Sequence, residues 1–327
     1  MRALPILILA IALDASAQAP ATTAPDRAID AAVRSEVIER SAAALQKSYV
    51  FPEVAARIAE SVRSRAAANE YDGQASARGF ARLLTEHMQA ISHDKHLRVL
   101  YTPDLRDRAP AFGEHGGASA FFRTRNYGFE KVERIEGNIG YLEIRSFAAD
   151  GEEVGEIVAA AMTFLARCDA LIVDVRRNGG GRPQTVALVS SYLFDRPVHL
   201  NNLYWREGDR TDEFWTSARV PGTRFGSTKP VFVLTSARTF SGAEEFAYNL
   251  KSLARAKIVG ETTGGGANPG GIRSLTDDFS LFVPTGRAIN PITRTNWEGT
   301  GVVPDVAVPA DQALEAARQL ALKAIGN

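Results

Sequence analysis

The sequence predicts an α/β fold preceded by a small helical domain. An amphipathic segment, EEVGEIVAAAMTFLARC, leads directly into the continuous apolar run DALIVDV. This order is typical of a helix followed by a strand that is buried between two layers. The alternation recurs with VALVSSYLF, KPVFVLTS, GAEEFAYNLKSLA and AKIVGETT, which are predicted as helix, strand, helix and strand. We therefore expect a layered α/β core.

Residues 29–92 have a helical pattern throughout. Three stretches place apolar residues at three-to-four spacing, and Pro52 suits the start of a helix. Beyond them the texture changes to strands and turns, with DDFSLFVPTGRAI predicted as one arm of a hairpin and DQALEAARQLALKAI as a terminal helix. These patterns predict a helical domain over 29–92 and an α/β domain over 93–327.

The composition is that of an ordinary globular protein. The chain has 327 residues, of which 45% are hydrophobic and 23% charged, with a formal net charge of zero. This balance gives no basic excess for binding a nucleic acid. Cys168 is the one cysteine, so no intramolecular disulfide can form. Its position beside a buried strand favours a small core residue over a nucleophile.

The first residues have the order of a secretory signal peptide. Arg2 is followed by an apolar run over 3–13 and by small residues at 15–17. A membrane anchor is the alternative, but about 11 apolar residues are short of the roughly 20 needed to cross a bilayer. We therefore predict a signal peptide over 1–17, a flexible leader over 18–28, and export to the periplasm or the extracellular space, with no membrane span in the mature chain.

Ser241 stands where a predicted strand ends and a helix begins. Free N–H groups and the helix dipole favour negative charge at such a point, which suits a nucleophile. Serine is also a preferred N-cap, and Glu244 three residues later completes the pattern of a capping box. The local sequence leaves both interpretations open.

Three consecutive glycines, 179–181, follow the buried strand and precede a helix. Such a loop can turn its N–H groups toward a ligand and form an oxyanion hole. It lacks the lysine and the spacing of a phosphate-binding loop, so nucleotide binding is not predicted. A tight strand-to-helix turn is the structural alternative.

A serine nucleophile needs a base, and the chain has five histidines. His87 lies in a predicted helix, His115 in a glycine-rich loop and His199 in an apolar strand, which favours structural or solvated roles. His93 and His96 lie where the helical domain meets the first strand of the core, a place where clefts form.

Several motifs together resemble the C-terminal processing (tail-specific) serine peptidase family. In chain order they are SHDKHL, GNIGYLEIRSF, DVRRNGGG, LTSARTFSGAEEFAY, IVGETTGG and WEGTGVVPDV, after a helical region that contains YVFPE. The branch that the chain resembles contains the tricorn protease core and the repeats of interphotoreceptor retinoid-binding protein. The resemblance implies a crotonase-like or ClpP-like α/β core whose serine attacks peptide bonds near a substrate's C-terminus.

The resemblance assigns roles motif by motif. The family's nucleophile falls on Ser241, whereas Gly266 stands where the tail-specific proteases have a lysine base. The tricorn-like branch uses a histidine and a glutamate, which match His96 and Glu298. Lys95 replaces the serine that assists the tricorn histidine. A histidine base predicts a rate that rises between about pH 6 and 7.5.

The remaining site residues follow from the same resemblance. The oxyanion would be bound by N–H groups of Gly242 and of Gly179, Gly180 and Gly181, with Asn178 and Arg176 bracing that loop. This chemistry implies a peptide or protein substrate and no metal or cofactor. Oligomeric state is not predicted.

Two departures widen the choice of function. About 40 residues separate the first core strand from the next, too few for the PDZ domain that tail-specific proteases insert there. The loop GEHGGASA within them could act as a flap. The retinoid-binding relatives carry apolar ligands instead of cutting peptides, so a carrier and a hydrolase of a non-peptide ester are the alternatives. Aromatic residues that could line a carrier's pocket are Phe121, Phe122, Tyr204, Trp205, Phe214 and Trp215.

Overall fold

The computed structural model describes residues 25–103 and 122–326. The predicted signal peptide, residues 18–24 of the leader, and the loop 113–120 with His115 and Phe121 lie outside the described residues. The end of the leader is held in place: Ala28 pairs with Ser76, whose hydroxyl donates to Asp26. These contacts position residues 26 and 28, at the end of the predicted leader, against the start of α3.

The three predicted N-terminal helices are present as α1 (Ala31–Ser48), α2 (Pro52–Ala67) and α3 (Ala77–Ser92). The Asp30 carboxylate caps α1 by accepting from the Val33 N–H at 2.9 Å. α2 begins at a proline, as predicted, and the Ser76 hydroxyl caps α3. All three helices therefore start where the sequence carries a helix-initiating residue.

The rest of the described chain alternates strands and helices. The later helices are α4 (Glu152–Leu165), α5 (Pro183–Ser191), α6 (Gly242–Ser252) and α7 (Ala313–Ala324). The strands are β1 (Arg98–Tyr101), β2 (Phe129–Ile135), β3 (Ile139–Ile144), β4 (Ala170–Asp174), β5 (His199–Trp205), β6 (Arg210–Trp215), β7 (Val231–Thr235), β8 (Lys257–Gly260), β9 (Gly270–Ser274), β10 (Phe279–Pro284), β11 (Gly286–Ile289) and β12 (Val306–Ala307).

A six-stranded sheet forms the centre of the α/β domain, in the order β12-β8-β7-β4-β3-β2. Its strands run parallel except for β2, which pairs antiparallel with β3. Apolar side chains of α4, α5 and α6 pack on one face, and alanines of α7 pack on the other. Covering on both faces explains why β4 and β7 are continuous apolar runs, as predicted. Cys168 is 2% exposed within this core.

The N-terminal helices pack on a second, three-stranded sheet of order β1-β10-β9. Leu84 and Met88 of α3 share one hydrophobic cluster with Val99 of β1 and Leu281 of β10. The two predicted domains therefore share a core at their junction. This packing fixes the segment between α3 and β1, which carries His93 and His96.

A third sheet has the order β11-β5-β6. Its strand β5 begins at His199, which the sequence analysis placed in an apolar strand, whereas β6 was not singled out because polar residues interrupt its apolar pattern. The predicted hairpin arm is divided between β10 and β11. Within the described ranges, no helix combines the length and the apolar character needed to cross a membrane.

Candidate active site

Ser241 lies between β7 and α6 in a strained backbone conformation. Its φ is 52° and its ψ is −122°, and the first residue of α6 is Gly242. A non-glycine residue in this region costs on the order of 1–3 kcal/mol and persists where the surroundings impose it. Such strain at a strand-to-helix turn exposes the serine side chain to a cleft, as in other hydrolases.

Glu244 ties this turn to the loop that follows β8. Its buried carboxylate accepts a hydrogen bond from the Ser241 N–H at 2.8 Å, which is the carboxylate half of the predicted capping box. The same carboxylate accepts from the Thr263 hydroxyl and from the N–H groups of Gly265 and Gly266, at 2.5, 2.6 and 2.9 Å. Burial nevertheless raises the pKa of Glu244 to about 7. One side chain thus sets the position of both segments.

The glycine loop lies directly against Ser241. A Cβ atom added to Gly180 would come within 2.7 Å of both Ser241 Cβ and the Gly242 nitrogen, so this close approach requires glycine. A Cβ on Gly242 would lie 2.9 Å from the Gly181 nitrogen. The backbones of 179–181 and 241–242 therefore form one concave surface.

The N–H groups of this surface do not all have the same role. Gly180 donates its N–H to Asn178 Oδ1 at 2.8 Å, so it is not available to an oxyanion. This corrects the prediction for Gly180, whose role is close packing. Gly179, Gly181 and Gly242 have no backbone acceptor among the described residues. Their N–H groups are the available oxyanion donors.

Of the two predicted supporting residues, Asn178 contacts the glycine loop and the Arg176 side chain contacts other segments. Asn178 is fully buried, and its side-chain Nδ2 donates to the Ile144 carbonyl at 3.0 Å. Its backbone carbonyl accepts from the Phe240 N–H. The Arg176 guanidinium is directed away from the serine, toward Asp174 and the Ala310 carbonyl. Asn178 therefore connects the loop to the serine turn directly.

His96 lies in an aromatic enclosure. Its ring centroid is 4.6 Å from that of Phe240 and 5.7 Å from that of Phe282, and the residue is 9% exposed. This burial, with a smaller contribution from the Arg98 guanidinium, lowers the pKa of His96 to about 3. The imidazole is therefore neutral throughout the range in which an exposed histidine titrates, and the predicted rise between pH 6 and 7.5 is not expected.

The His96 ring lies where a side chain on residue 266 would have to be. A Cβ atom on Gly266 would lie 2.7 Å from His96 Cε1 and 2.3 Å from Phe240 Cζ. There is consequently no room for a lysine at this position while His96 and Phe240 hold theirs. The glycine found where a lysine base was expected is thus a steric requirement of the histidine arrangement.

Two carboxyl groups, Asp94 and Glu298, lie beside His96. One oxygen of each and a ring nitrogen of His96 all lie within 4.8 Å of one another. Asp94 accepts hydrogen bonds from Asn268 Nδ2 at 2.9 Å and from the Tyr49 hydroxyl at 3.2 Å. Burial raises the pKa of both carboxyl groups, and the negative charge of Asp94 raises that of Glu298 further. Because two close, buried carboxylates repel each other, the pair holds a proton near neutral pH.

Several polar atoms in this cluster have no partner. His96 Nδ1 and Glu298 Oε1 are buried without a hydrogen bond, while Glu298 Oε2 accepts from the Ala267 N–H at 2.5 Å. The three side chains could also supply the donor atoms of a metal ion. An Nδ1–H directed to the carboxyl pair would leave Nε2 as the proton acceptor.

Ser241 and His96 face one pocket of about 310 Å³. No hydrogen bond joins them in the described chain, and catalytic hydrogen bonds in unliganded sites are often open. Apolar side chains of Leu203, Trp205 and Phe214 form part of the wall. The pocket thus combines a serine, a histidine, exposed glycine backbone and an apolar side.

The other predicted residues lie elsewhere. Lys95 is exposed, and its Nζ donates to the Gly264 carbonyl at 2.5 Å, away from the serine. His93 caps the end of α3 with a left-handed backbone and is exposed. His87 pairs with the Tyr71 hydroxyl, and His199 stacks on Trp215 at 4.3 Å. The site therefore uses His96 alone among the described histidines.

The aromatic residues that could line a carrier's pocket also fall into two groups, those in the pocket and those outside it. Trp205 and Phe214 line the pocket, whereas Trp215 is 48% exposed at the surface. Phe122 packs against the main core, and Tyr204 lies under the Arg287 guanidinium. Of the described aromatic residues suggested for a carrier, Trp205 and Phe214 are therefore positioned to contact a ligand.

The sequence analysis missed three components of the site: Asp94, Arg98 and the pair Phe240 and Phe282. Asp94 and Arg98 each lie two residues from His96, so their closeness in sequence was an available signal. The aromatic enclosure had no such signal, because Phe282 reaches His96 from β10.

Comparison with known proteins agrees with this architecture. Residues 138–308, more than half of the chain, match the model of peptidase family S41. Residues 29–118 match the model of the N-terminal domain of Peptidase_S41 in eukaryotic IRBP. The two matches correspond to the α/β domain and to the helical region with the segment after it.

Individual relatives are distant. The chain is 25% identical over 189 residues to the chloroplastic carboxyl-terminal-processing peptidase 1 of Arabidopsis thaliana. The match covers 55% of this chain and 35% of that protein. The chain is 30% identical over 183 residues to the tricorn protease of Thermoplasma volcanium, covering 54% and 16% of the two chains. These matches span about a third or less of the relatives' own length.

A solved structure covers more of the fold. A candidate peptidase from Parabacteroides merdae superposes with a TM-score of 0.61 at 18% identity, over 90% of this chain and 97% of that one. At this identity the likeness concerns the fold. Together with the family model that matches more than half of the sequence, it shows that the chain belongs to peptidase family S41.

Proposed function

We propose that this protein is a serine peptidase that hydrolyses peptide bonds near the C-termini of its substrates, with Ser241 as nucleophile and His96 as base. The observation that carries the proposal is that Ser241, His96 and Gly181 line one pocket, with Gly242 packed directly against Gly181. Membership of family S41 supports the same reaction class.

In the proposed reaction, His96 Nε2 accepts the hydroxyl proton of Ser241 as Oγ attacks the substrate carbonyl, and it returns that proton to the leaving amine. Water then hydrolyses the acyl-enzyme by the same proton transfers. The N–H groups of Gly181 and Gly242 stabilise the oxyanion, an effect typically worth about 3–4 kcal/mol per donor. The desolvated pocket strengthens each of these interactions.

Asp94 and Glu298 act on His96 as a unit in this mechanism. With one proton shared, the pair carries a single negative charge that stabilises the imidazolium as it forms. In a Ser-His-acid triad, by contrast, one ionised carboxylate acts on the histidine alone. Because the resting pKa of His96 is low although the pair already lies beside it, any further gain in basicity must come from the bound substrate.

The predicted signal peptide supports export, and we place the mature enzyme in the periplasm or outside the cell. Loss of the first 17 residues on maturation, read by N-terminal sequencing of the exported protein, would support this location. A mature protein that retained Arg2 would argue against it.

An apolar wall made of Leu203, Trp205 and Phe214 favours a second candidate, a carrier of an apolar ligand. A carrier has no use for an activated serine, and this difference decides between them. A fluorophosphonate probe should label the purified protein, and mass spectrometry should place the label on Ser241. Peptide digests should then release C-terminal fragments. Absence of labelling, with tight binding of an apolar ligand, would favour the carrier, and labelling with ester but no peptide hydrolysis would favour an esterase.

A further inference from the structure

The pocket wall contains a cation that forms no ion pair with the described residues. Arg98 lies on β1, two residues after His96, and lines the same pocket as Ser241. Its Nη2 donates to the Lys95 carbonyl at 3.1 Å. No carboxylate oxygen of the described residues forms an ion pair with it within 4.0 Å.

The other arginines that line this pocket are paired. Arg182 Nη1 lies 3.1 Å from Asp150 Oδ2, and Arg210 Nη2 lies 3.2 Å from Asp212 Oδ2. Protein carboxylates therefore neutralise these two charges. The Arg98 guanidinium is half-buried, and burial lowers its pKa; the Asp94 carboxyl group, which forms no ion pair with it within 4.0 Å, offsets only part of this effect.

We propose that Arg98 is a carboxylate-binding subsite, which holds an anionic group of the substrate close to the bond that Ser241 attacks. The inference rests on the proposed function and adds to it the chemistry of the substrate. The guanidinium is planar and presents its donors in a fork that matches both oxygens of a carboxylate. The small pocket keeps that carboxylate within a short stretch of peptide from Ser241.

Occupation of this subsite would also act on the base. The Arg98 charge contributes to the low pKa of His96, so a bound carboxylate offsets that charge and makes the imidazole a stronger base. The substrate would thereby activate the histidine that it needs. The apolar wall of Leu203, Trp205 and Phe214 would contact an uncharged side chain next to the anionic group.

The carboxylate could come from a chain terminus or from an acidic side chain, and three fluorescein-labelled hexapeptides of alanine and leucine distinguish these sources. One carries a free C-terminal carboxylate, one a C-terminal carboxamide, and one a carboxamide with glutamate as its last residue. Their affinities are measured by fluorescence polarisation on the full-length S241A variant, which cannot consume them. We expect the first or the third to bind about tenfold to hundredfold more tightly than the plain carboxamide.

Arg98→Gln on the same background should remove this difference, and Arg98→Lys should keep part of it because it retains the charge without the fork. Arg210→Gln is the matched control: its guanidinium is already paired with Asp212, so the ratio of affinities should not change. Equal affinities for the three peptides, no measurable binding of any of them, or a ratio that survives Arg98→Gln would overturn the inference.

Failure of the subsite is distinguishable from failure of the proposed function. A fluorophosphonate probe carries no carboxylate, so it labels Ser241 whether or not Arg98 binds one. Labelled Ser241 together with indifference to the carboxylate would refute the subsite alone.

Discussion

Asp94 and Glu298 lie together beside His96, with one oxygen of each within 4.8 Å of the other and of a ring nitrogen. Two groups that are separated by about two hundred positions in the chain thus form one buried acid pair. Tyr49, at the end of α1, donates to Asp94 and connects the N-terminal helices to this pair. The helical region is consequently part of the active-site support.

The first prediction concerns the protonation of Glu298. If Glu298 holds a proton near neutral pH, Glu298→Gln reproduces its shape and its donor, whereas Glu298→Ala leaves the Ala267 N–H without its acceptor and removes the carboxyl group beside Asp94. Fluorophosphonate labelling of Ser241 at pH 7 should fall by less than about fivefold in the first variant and by about tenfold or more in the second. Equal, large losses in both variants would show that an ionised carboxylate is required.

The second prediction concerns the pH dependence of acylation. Because burial lowers the pKa of His96 to about 3, the base is already neutral at pH 5. His96 itself should therefore contribute no inflection to the second-order rate constant for labelling by an uncharged probe between about pH 5 and 8, and a fall on the acid side should follow protonation of Asp94, whose pKa burial raises to about 6. Arg98→Gln removes a positive charge near the ring and raises the pKa of His96. An inflection near 6.5 that persists in Asp94→Asn would mean that His96 is solvated.

The third prediction concerns stability. Burial and the charge of Asp94 raise the pKa of Glu298 in the folded protein above its ordinary value. A raised pKa contributes stability that is complete at low pH and is lost as pH rises through the folded-state value. The side chain in Glu298→Gln cannot ionise, so the variant does not lose this stability. The free energy of unfolding of the variant minus that of the wild type should therefore rise by on the order of 2 kcal/mol from pH 5 to pH 8. Urea unfolding at both pH values measures this, and a constant difference would refute it.

The fourth prediction concerns Gly266. In Gly266→Ala the new methyl group would collide with Phe240 Cζ and His96 Cε1. Labelling of Ser241 should fall at least about tenfold, since displacement of a catalytic group by about an ångström can cost a hundredfold. Gly266→Lys should not create a lysine base, for the same steric reason.

Gly155→Ala is the matched control for this substitution. Gly155 lies in α4, and a Cβ there would meet no atom within 4 Å. Labelling should be unchanged, and the helix should gain about 0.5–1 kcal/mol. Full activity of Gly266→Ala would mean that the aromatic enclosure tolerates displacement of His96.

Much of the fold was predictable because its signals are local. Apolar runs mark β4 and β7, and helix-initiating residues mark α1 to α3, so each element can be identified from its own sequence. A strand was expected at His199, but β6, and with it the β5–β6 hairpin, was missed because polar residues interrupt its apolar pattern. The pairing of β5 with β11 joins segments that are some eighty residues apart.

The site was predictable only in part, for a related reason. Ser241, His96 and Glu298 came from motifs that the family resemblance aligned, and they are near one another or share a pocket in the fold. The properties of His96 depend on Phe240, which lies in the turn before α6, and on Phe282, which the fold brings to it from β10. Burial, pKa and unpaired charge are therefore consequences of packing that no short motif contains.

The most direct test of the account is the coupling between Ser241 and His96, measured as kcat/KM for peptide hydrolysis in Ser241→Ala, His96→Ala and the double variant. If the two side chains act as one catalytic unit, each single substitution removes most of the activity, and the double variant is little worse than either. Thermal unfolding of all three variants checks that the fold is retained. Losses that multiply in the double variant, or a His96→Ala enzyme with wild-type activity, would contradict the assignment of His96 as the base of Ser241.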